Sequence, residues 1–141
     1  MLPTMEAAVA TQILHLDDNT GDAAIFHEVV AASGWGAQVH HAIVPSQATL
    51  FLNRIGDYAR APQADLVVVD LQLRASDGRQ FLEMLAKHPD FKDLPSAVLS
   101  GALTRGDRAR CKALGVPCFE KPISIDGYEP IIAALRKRAR R

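Results

Sequence analysis

Asp17-Asp18, Asp70 and Ser100 each directly follow a short, mostly apolar run, and Lys121-Pro122 follows another after Glu120; such a set has a common chemistry only if those runs end at one place. Three carboxylates drawn together repel one another and raise each other's pKa unless a cation stands among them. A hard divalent ion, Mg2+, suits the set, because it takes one or two protein carboxylates and leaves positions for water and phosphate oxygens. Phosphoryl transfer needs a nucleophile, the metal's ligands, a fixed cation and a hydrogen-bond donor. Asp70, the acidic pair, Lys121 and Ser100 answer to those four needs in turn.

The elements that must position these residues are read from hydrophobic periodicity. Ile13-Leu14-His15-Leu16 suits a strand buried on both faces, and it stops at Asp17-Asp18-Asn19. Over 22–32, Ala23, Ile25, Phe26, Val29 and Val30 return at helical spacing, and Ser33-Gly34 supplies a stop. Residues 38–43 read as a second strand, polar enough to lie at an edge. Pro45-Ser46 opens a helix with Ala48, Leu50, Phe51, Leu52 and Ile55, closed by Arg60-Ala61-Pro62. Leu66-Val67-Val68-Val69 is wholly apolar and mostly β-branched, the pattern of a central parallel strand, and it ends at Asp70. Asp77-Gly78 then leads into a helix carrying Phe81, Leu82, Met84 and Leu85, which ends near His88-Pro89. The unit repeats: Ser96-Ala97-Val98-Leu99 ends at Ser100-Gly101, a polar helix covers 104–114, and Cys118-Phe119 leads to Glu120-Lys121-Pro122. A last helix, with Ile131, Ile132 and Leu135, runs into the basic stretch 136–141.

Strands alternating with helices imply an α/β sandwich of the flavodoxin-like kind: a five-stranded parallel sheet in the order 2-1-3-4-5, with five helices shared between its faces. In such sheets ligands bind beyond the carboxyl ends of the strands, at the switch point between the first and third, and that is where the five singled-out residues gather. Residues 11–138 would form this domain, after an N-terminal extension over 1–10 and before a basic tail over 139–141.

The rest of the composition excludes more than it proposes. Sixteen basic and sixteen acidic residues cancel, so no whole-chain field favours a nucleic acid or a membrane as partner. No export signal and no run of about 18 apolar residues stands in the sequence, and cytoplasmic location is the expectation. Cys111 and Cys118 have no CxxC spacing and no histidine placed for zinc; they read as small apolar packing residues. His15 reads as a hydrogen-bonded core or edge histidine, and His40-His41 as a solvated strand end. The run 136–141 is favoured by the helix dipole and expected to fray into solvent.

An acidic pair after the first strand, a lone aspartate after the third, a hydroxyl after the fourth and Lys-Pro after the fifth together resemble the CheY-like receiver domains of response regulators. The resemblance spans about 11–135, nearly the whole chain. The segment 87–99, with His-Pro-Asp before Leu94-Pro95, is similar to the stand-alone receivers associated with bacteriophytochromes. It implies Asp70 as phosphoacceptor and Mg2+ held by Asp17, Asp18, Asp70 and the Gln72 backbone carbonyl, Asp17 partly through water. Ser100 and Lys121 would bind phosphoryl oxygens, Pro122 would follow a peptide bond that relatives often hold cis, and Gly78 would allow the turn into the third helix. The implied partner is a sensor histidine kinase or histidine phosphotransfer protein, with output through the face of helix four, strand five and helix five and no turnover of an external substrate. No DNA-binding output domain is expected. Ile131 and Leu135 admit two readings, a homodimer face or core.

Two departures bear on the switch. Cys118 stands where many receivers have Tyr or Phe, with Phe119 expected in the neighbouring core position and the turn before Lys121 about one residue short. Arg74 stands where many have proline, and reads as a solvated loop arginine. Rival readings are a constitutive protein-binding adaptor of the same fold and a small Mg2+-dependent phosphohydrolase. The second expects another aspartate two residues after the nucleophile, where this chain has Gln72. A flavin protein is weaker still, since no glycine- and hydroxyl-rich phosphate loop follows the first strand.

Overall fold

The structure is a computed structural model and describes residues 10–140. The extension expected over 1–10 therefore lies, apart from Ala10, outside the described residues. Five strands, β1 (Gln12–Leu16), β2 (Gln38–Ala42), β3 (Leu66–Val69), β4 (Ser96–Ser100) and β5 (Cys118–Glu120), form one sheet in the order β2-β1-β3-β4-β5. Every pairing is parallel, as the intervening helices require. The helices are α1 (Thr20–Ala32), α2 (Pro45–Asn53), α3 (Gly78–Lys87), α4 (Arg105–Leu114) and α5 (Tyr128–Arg138).

Alternation along the strands divides the core between the two faces. Val67 and Val69 of β3 point to the side of α2, α3 and α4, where Phe51, Phe81, Leu82, Leu85 and Cys111 pack. Leu66 and Val68 point to the side of α1 and α5, against Phe26, Val30, Tyr128, Ile131, Ile132 and Leu135. Ile131 and Leu135 are buried, so the second of their two sequence readings holds and they offer no dimer face. Cys118 packs with the first cluster and Phe119 with the second, as consecutive strand residues must.

Helix ends follow local chemistry where the apolar pattern was ambiguous. α1 begins at Thr20, ahead of its first apolar residue, because the Asn19 side chain accepts from the Asp22 N–H at 3.0 Å. α2 stops at Asn53, short of Ile55: Arg54 adopts a left-handed φ of 58°, and a 3-10 turn, Gly56–Tyr58, follows. As far as Arg140 the basic end is anchored rather than frayed, and Arg141 lies outside the described residues. Arg138 donates from Nε to the Ser96 carbonyl at 3.0 Å and from Nη2 to the Gly115 carbonyl at 3.1 Å, and the Arg140 N–H reaches the Asp65 carbonyl. Among the described residues no helix is long and apolar enough to cross a membrane.

α3 and α4 are clamped by two arginine-carboxylate forks. Arg110 bonds Glu83 through two nitrogens, and Arg79 donates to Asp107 at 2.6 and 2.9 Å. Asp107 also completes a capping box with Thr104 at the start of α4. The Arg79 hydrogen bonds, opposed by burial and aided by the Thr104 N–H, hold the Asp107 carboxyl down at about 2. A depressed acid is stabilising above its unfolded value of 3.8, and that stability is lost as pH falls towards the folded value. Arg79 is 45% exposed, which screens the pair. Asp107→Asn should therefore cost about 1–2 kcal/mol near neutral pH and flatten the acid limb of the stability curve, measured by urea unfolding. An unchanged acid limb would show that the clamp does not contribute.

Candidate functional site

The carboxyl ends of β1, β3, β4 and β5 lie side by side because of their register: Leu16 pairs with Val69, Val69 with Val98, and Val98 with Cys118. Just past those ends, backbone bonds continue the ladder. Asp17 N–H donates to Ala42 O, Asp70 N–H to Leu16 O, and Lys121 N–H to Ser100 O, all within 3.0 Å. Asp17, Asp70, Ser100 and Lys121 are thus set in place by the sheet itself.

Their side chains converge on one ammonium. Lys121 Nζ stands 2.8 Å from Oδ2 of Asp17, Asp22 and Asp70 alike. Asp70 Oδ1 accepts from the Gln72 N–H and from the Ser100 hydroxyl, both at 2.8 Å. Asp17 Oδ1 accepts from the Asn19 N–H at 2.8 Å. Asp17 and Asp70 are 0% and 3% exposed and Lys121 is mostly covered, with Asp22 at the rim, so the group is a largely buried ion cluster with three carboxylates to one ammonium.

Burial and pairing pull the ionisations in opposite directions. Burial works against the charge on Lys121, yet its hydrogen bonds to Asp22 and Asp70 and the Asp17 carboxylate beside it outweigh that, and the ammonium is held well above its ordinary range. Burial raises the Asp17 carboxyl, against the lowering effect of Lys121 and the Asn19 N–H.

Asp18 lies outside this knot, half-buried, with Oδ2 accepting the Arg74 N–H at 2.7 Å; it ties the loop after β3 to the end of β1. Arg74 meets the site through its backbone, and its side chain is exposed as expected. Gln72 also touches the cluster through its backbone N–H. Every peptide bond among the described residues is trans, including Lys121-Pro122, the form an X-Pro bond favours by about 0.5–1 kcal/mol. Pro122 packs against Gly127, where a Cβ would come within 2.6 Å of it.

Gly78 is required for a reason other than a turn. Its φ is not in the left-handed region, but a Cβ there would lie 2.1 Å from the Asp70 carbonyl oxygen and 2.8 Å from Leu71 Cα. The helix start is pressed against the backbone that carries Asp70, and only hydrogen fits between them.

Three residues were not legible as part of this neighbourhood. Asp22 stands at the start of the first predicted helix with no site role expected of it, yet its carboxylate reaches Lys121. Its only signal was a position one turn into α1, where a side chain leans back over the strand end. His41, read as solvated, holds the Asp17 carbonyl with its Nε2 at 2.6 Å, and His40 bonds Gln12. His15 is buried as expected, yet neither ring nitrogen has a hydrogen-bond partner; burial, then His41 and Lys121, pushes its pKa down to about 3, so the ring is neutral. Cys111 is buried, and that burial, with Cys118 beside it, raises its thiol to about 11, as befits a packing residue.

The donor set has the chemistry of a hard cation site: carboxylate oxygens, two of them buried, with Asp17 Oδ2 paired in charge to Lys121 but out of hydrogen-bond alignment. Among the described residues no cluster of three or more Asp, Glu, His or Cys side chains is pre-assembled for a metal, because Lys121 draws the carboxylates around itself. Asp17, Asp22 and Asp70 nonetheless share one positive charge among three carboxylates, which a dication would correct.

No family model matches the chain. It is 29% identical over 111 residues, 76% of this chain and 73% of the relative, to the response regulator Rcp1 of Synechocystis sp.. Among solved structures, that of the phosphorylated cyanobacterial phytochrome response regulator RcpA matches with a TM-score of 0.79 at 26% identity, covering 92% of this chain and 93% of that one. The Mn(2+)-bound form of Rcp1 matches with a TM-score of 0.77 at 24% identity, over 90% of this chain and 92% of that one. The chemotaxis protein CheY4 of Vibrio cholerae matches at 0.72 and 15% identity, over 90% and 99%. The last two likenesses speak for the fold alone.

Proposed function

We propose that the chain is a CheY-like receiver of the response-regulator kind and that it accepts a phosphoryl group on Asp70 from a histidine kinase or phosphotransfer protein. The observation that carries the reading is the division of labour on the Asp70 carboxylate. Oδ1 is occupied by two donors, Gln72 N–H and Ser100 Oγ, whereas Oδ2 faces Lys121. Oδ2 is therefore the nucleophile. As its bond to phosphorus forms, the phosphorus–nitrogen bond of a phosphohistidine breaks, and the electron pair leaves with the imidazole. Lys121 is already placed to pair with a phosphoryl oxygen, and the Ser100 hydroxyl is one rotation from donating to another.

Asp17, Asp18, Asp70 and the Gln72 backbone carbonyl would hold Mg2+, whose charge would offset that of the carboxylate and phosphoryl oxygens. When Ser100 turns to the new group it draws on the loop before α4, and the face of α4, β5 and α5 carries the signal to a partner. Such a protein turns over nothing but its own acyl phosphate, and a cytoplasmic kinase is its natural donor. A second reading, a constitutive adaptor, is favoured by Cys118: it is half-buried against the core, and no aromatic ring at that place can turn inward with Ser100.

Wild type and Asp70→Asn should be incubated with acetyl phosphate and Mg2+, with and without chelator, and their intact masses recorded. A single phosphoryl adduct that needs Mg2+ and is absent from Asp70→Asn is the expected result. An adduct that persists in Asp70→Asn overturns the assignment. Equal affinity of wild type and Asp70→Asn for a partner supports the adaptor.

A further inference from the structure

Three buried side-chain atoms among the described residues have no hydrogen-bond partner, and all three lie together: Nδ1 and Nε2 of His15, and Oδ2 of Asp17. Buried polar atoms are normally paired, so their clustering beside the site is itself an observation about the site. His15 and Asp17 are two residues apart along an extended segment and so share a face. His15 Nε2 stands 3.8 Å from Asp17 Oδ2, about an ångström beyond a good hydrogen bond.

The imidazole is itself firmly held. It lies at the centre of the sheet, opposite His41 of β2 and Val68 of β3. The Phe26 ring of α1 packs on it with centroids 4.5 Å apart. Every other handle on Asp17 is taken: His41 holds its carbonyl, the Ala42 carbonyl accepts its N–H, and the Asn19 N–H pins Oδ1. Only Oδ2 lacks a directional donor, and it is the oxygen that faces Lys121.

We propose that His15 is a positioning residue for Asp17: its ring N–H locks Oδ2 when Lys121 gives up that oxygen to a divalent cation. A carboxylate oxygen has two lone-pair directions, and a donor behind Oδ2 leaves the other aimed at the cation. The gap to be closed is about an ångström, and a shift of the carboxylate and ring towards each other on metal binding would close it. A neutral ring supplies the donor without adding a positive charge that would compete with the metal. An apolar side chain between Leu14 and Leu16 would satisfy packing alone, and would avoid two unpaired ring nitrogens.

This inference rests on the proposed Mg2+ site, and the test separates the two. Mg2+ is titrated calorimetrically into the full chain as wild type, His15→Leu and His15→Asn, and metal-free unfolding is followed in chelator. Outer-shell partners of a metal site are worth about 10–100-fold in affinity, so His15→Leu should bind Mg2+ at least about tenfold more weakly. Its metal-free midpoint should equal or exceed that of wild type, since the unpaired ring is gone. His15→Asn keeps an N–H and should recover part of the affinity. Should His15→Leu fail to fold, His15→Val makes the same comparison. Affinity of the apolar variant within twofold of wild type, or equal weakness of the Leu and Asn variants, overturns the positioning role. Absence of Mg2+ binding by wild type overturns the metal site, and the role with it.

Discussion

In chelator, Lys121→Met should unfold at a markedly lower urea concentration than wild type, by about 3 kcal/mol, and Mg2+ should restore most of the difference. Among the described residues the ammonium is the one cation touching Asp17, Asp22 and Asp70, each at 2.8 Å, and two of those carboxylates are buried. Removing one partner of a buried ion cluster leaves charges that neither water nor a neighbour compensates. Methionine keeps the length and apolar stem of lysine, so packing changes little. The contribution of Asp17 to the pH dependence should deepen. Burial raises the Asp17 carboxyl even in wild type, and without Lys121 its chief opposing influence is gone. An acid whose folded pKa lies above its unfolded value destabilises the fold as pH rises through that interval. The variant should therefore lose more stability than wild type from acid to neutral pH. A dication supplies the missing charge, and by linkage it stabilises the variant more than wild type. Equal midpoints in chelator would mean that the carboxylates do not depend on Lys121 for neutralisation.

The same cluster marks how far the sequence could be read. Runs such as Leu66-Val67-Val68-Val69, apolar throughout and cut off by an aspartate, determine strand and boundary together, and β3 has the bounds its pattern implies. Strand alternation with helices and right-handed crossovers leave few topologies, and the order β2-β1-β3-β4-β5 is the common one. Once that order holds, the residues after the strands must meet at one edge, and so Asp17, Asp70, Ser100 and Lys121 were legible as a group. Local pattern does not say which partner a charged side chain chooses. Asp22 and Lys121 are 99 residues apart, and an acid in a first helical turn looks the same whether it serves its own helix or a distant lysine. The contacts of the histidines were hidden for a related reason. A polar residue in a strand announces an edge or a functional contact, but His41 on the Asp17 carbonyl and His15 behind its carboxylate are defined only by what lies across the sheet. Arg138 likewise belongs to a basic run by sequence and to two carbonyls by structure.

Gly78→Ala is expected to be costly although alanine favours helices, and the contrast with Gly106→Ala isolates the cause. Both glycines lie in the first turn of a helix with φ outside the left-handed region, so intrinsic propensity predicts a gain of about 0.5–1 kcal/mol from either change. At Gly106 the added methyl meets the Thr104 hydroxyl oxygen at 3.7 Å, an ordinary contact, and the gain should appear. At Gly78 it would lie 2.1 Å from the Asp70 carbonyl oxygen and 3.0 Å from its carbonyl carbon. Those atoms are backbone and cannot swing aside, and the Asp70 N–H is itself bonded to Leu16 O in the sheet. Relief requires moving the start of α3 or the strand end, and overpacking of this kind costs about 3 kcal/mol. Urea unfolding of the two variants beside wild type should thus shift in opposite directions. If the strand end yields rather than the helix, Asp70 moves with it, and the acetyl phosphate reaction of Gly78→Ala should slow even under conditions where the variant is fully folded. Loss of stability with an unchanged rate would instead place the displacement in α3, and would show that the carboxylate is held by β3 and its neighbours without help from the helix.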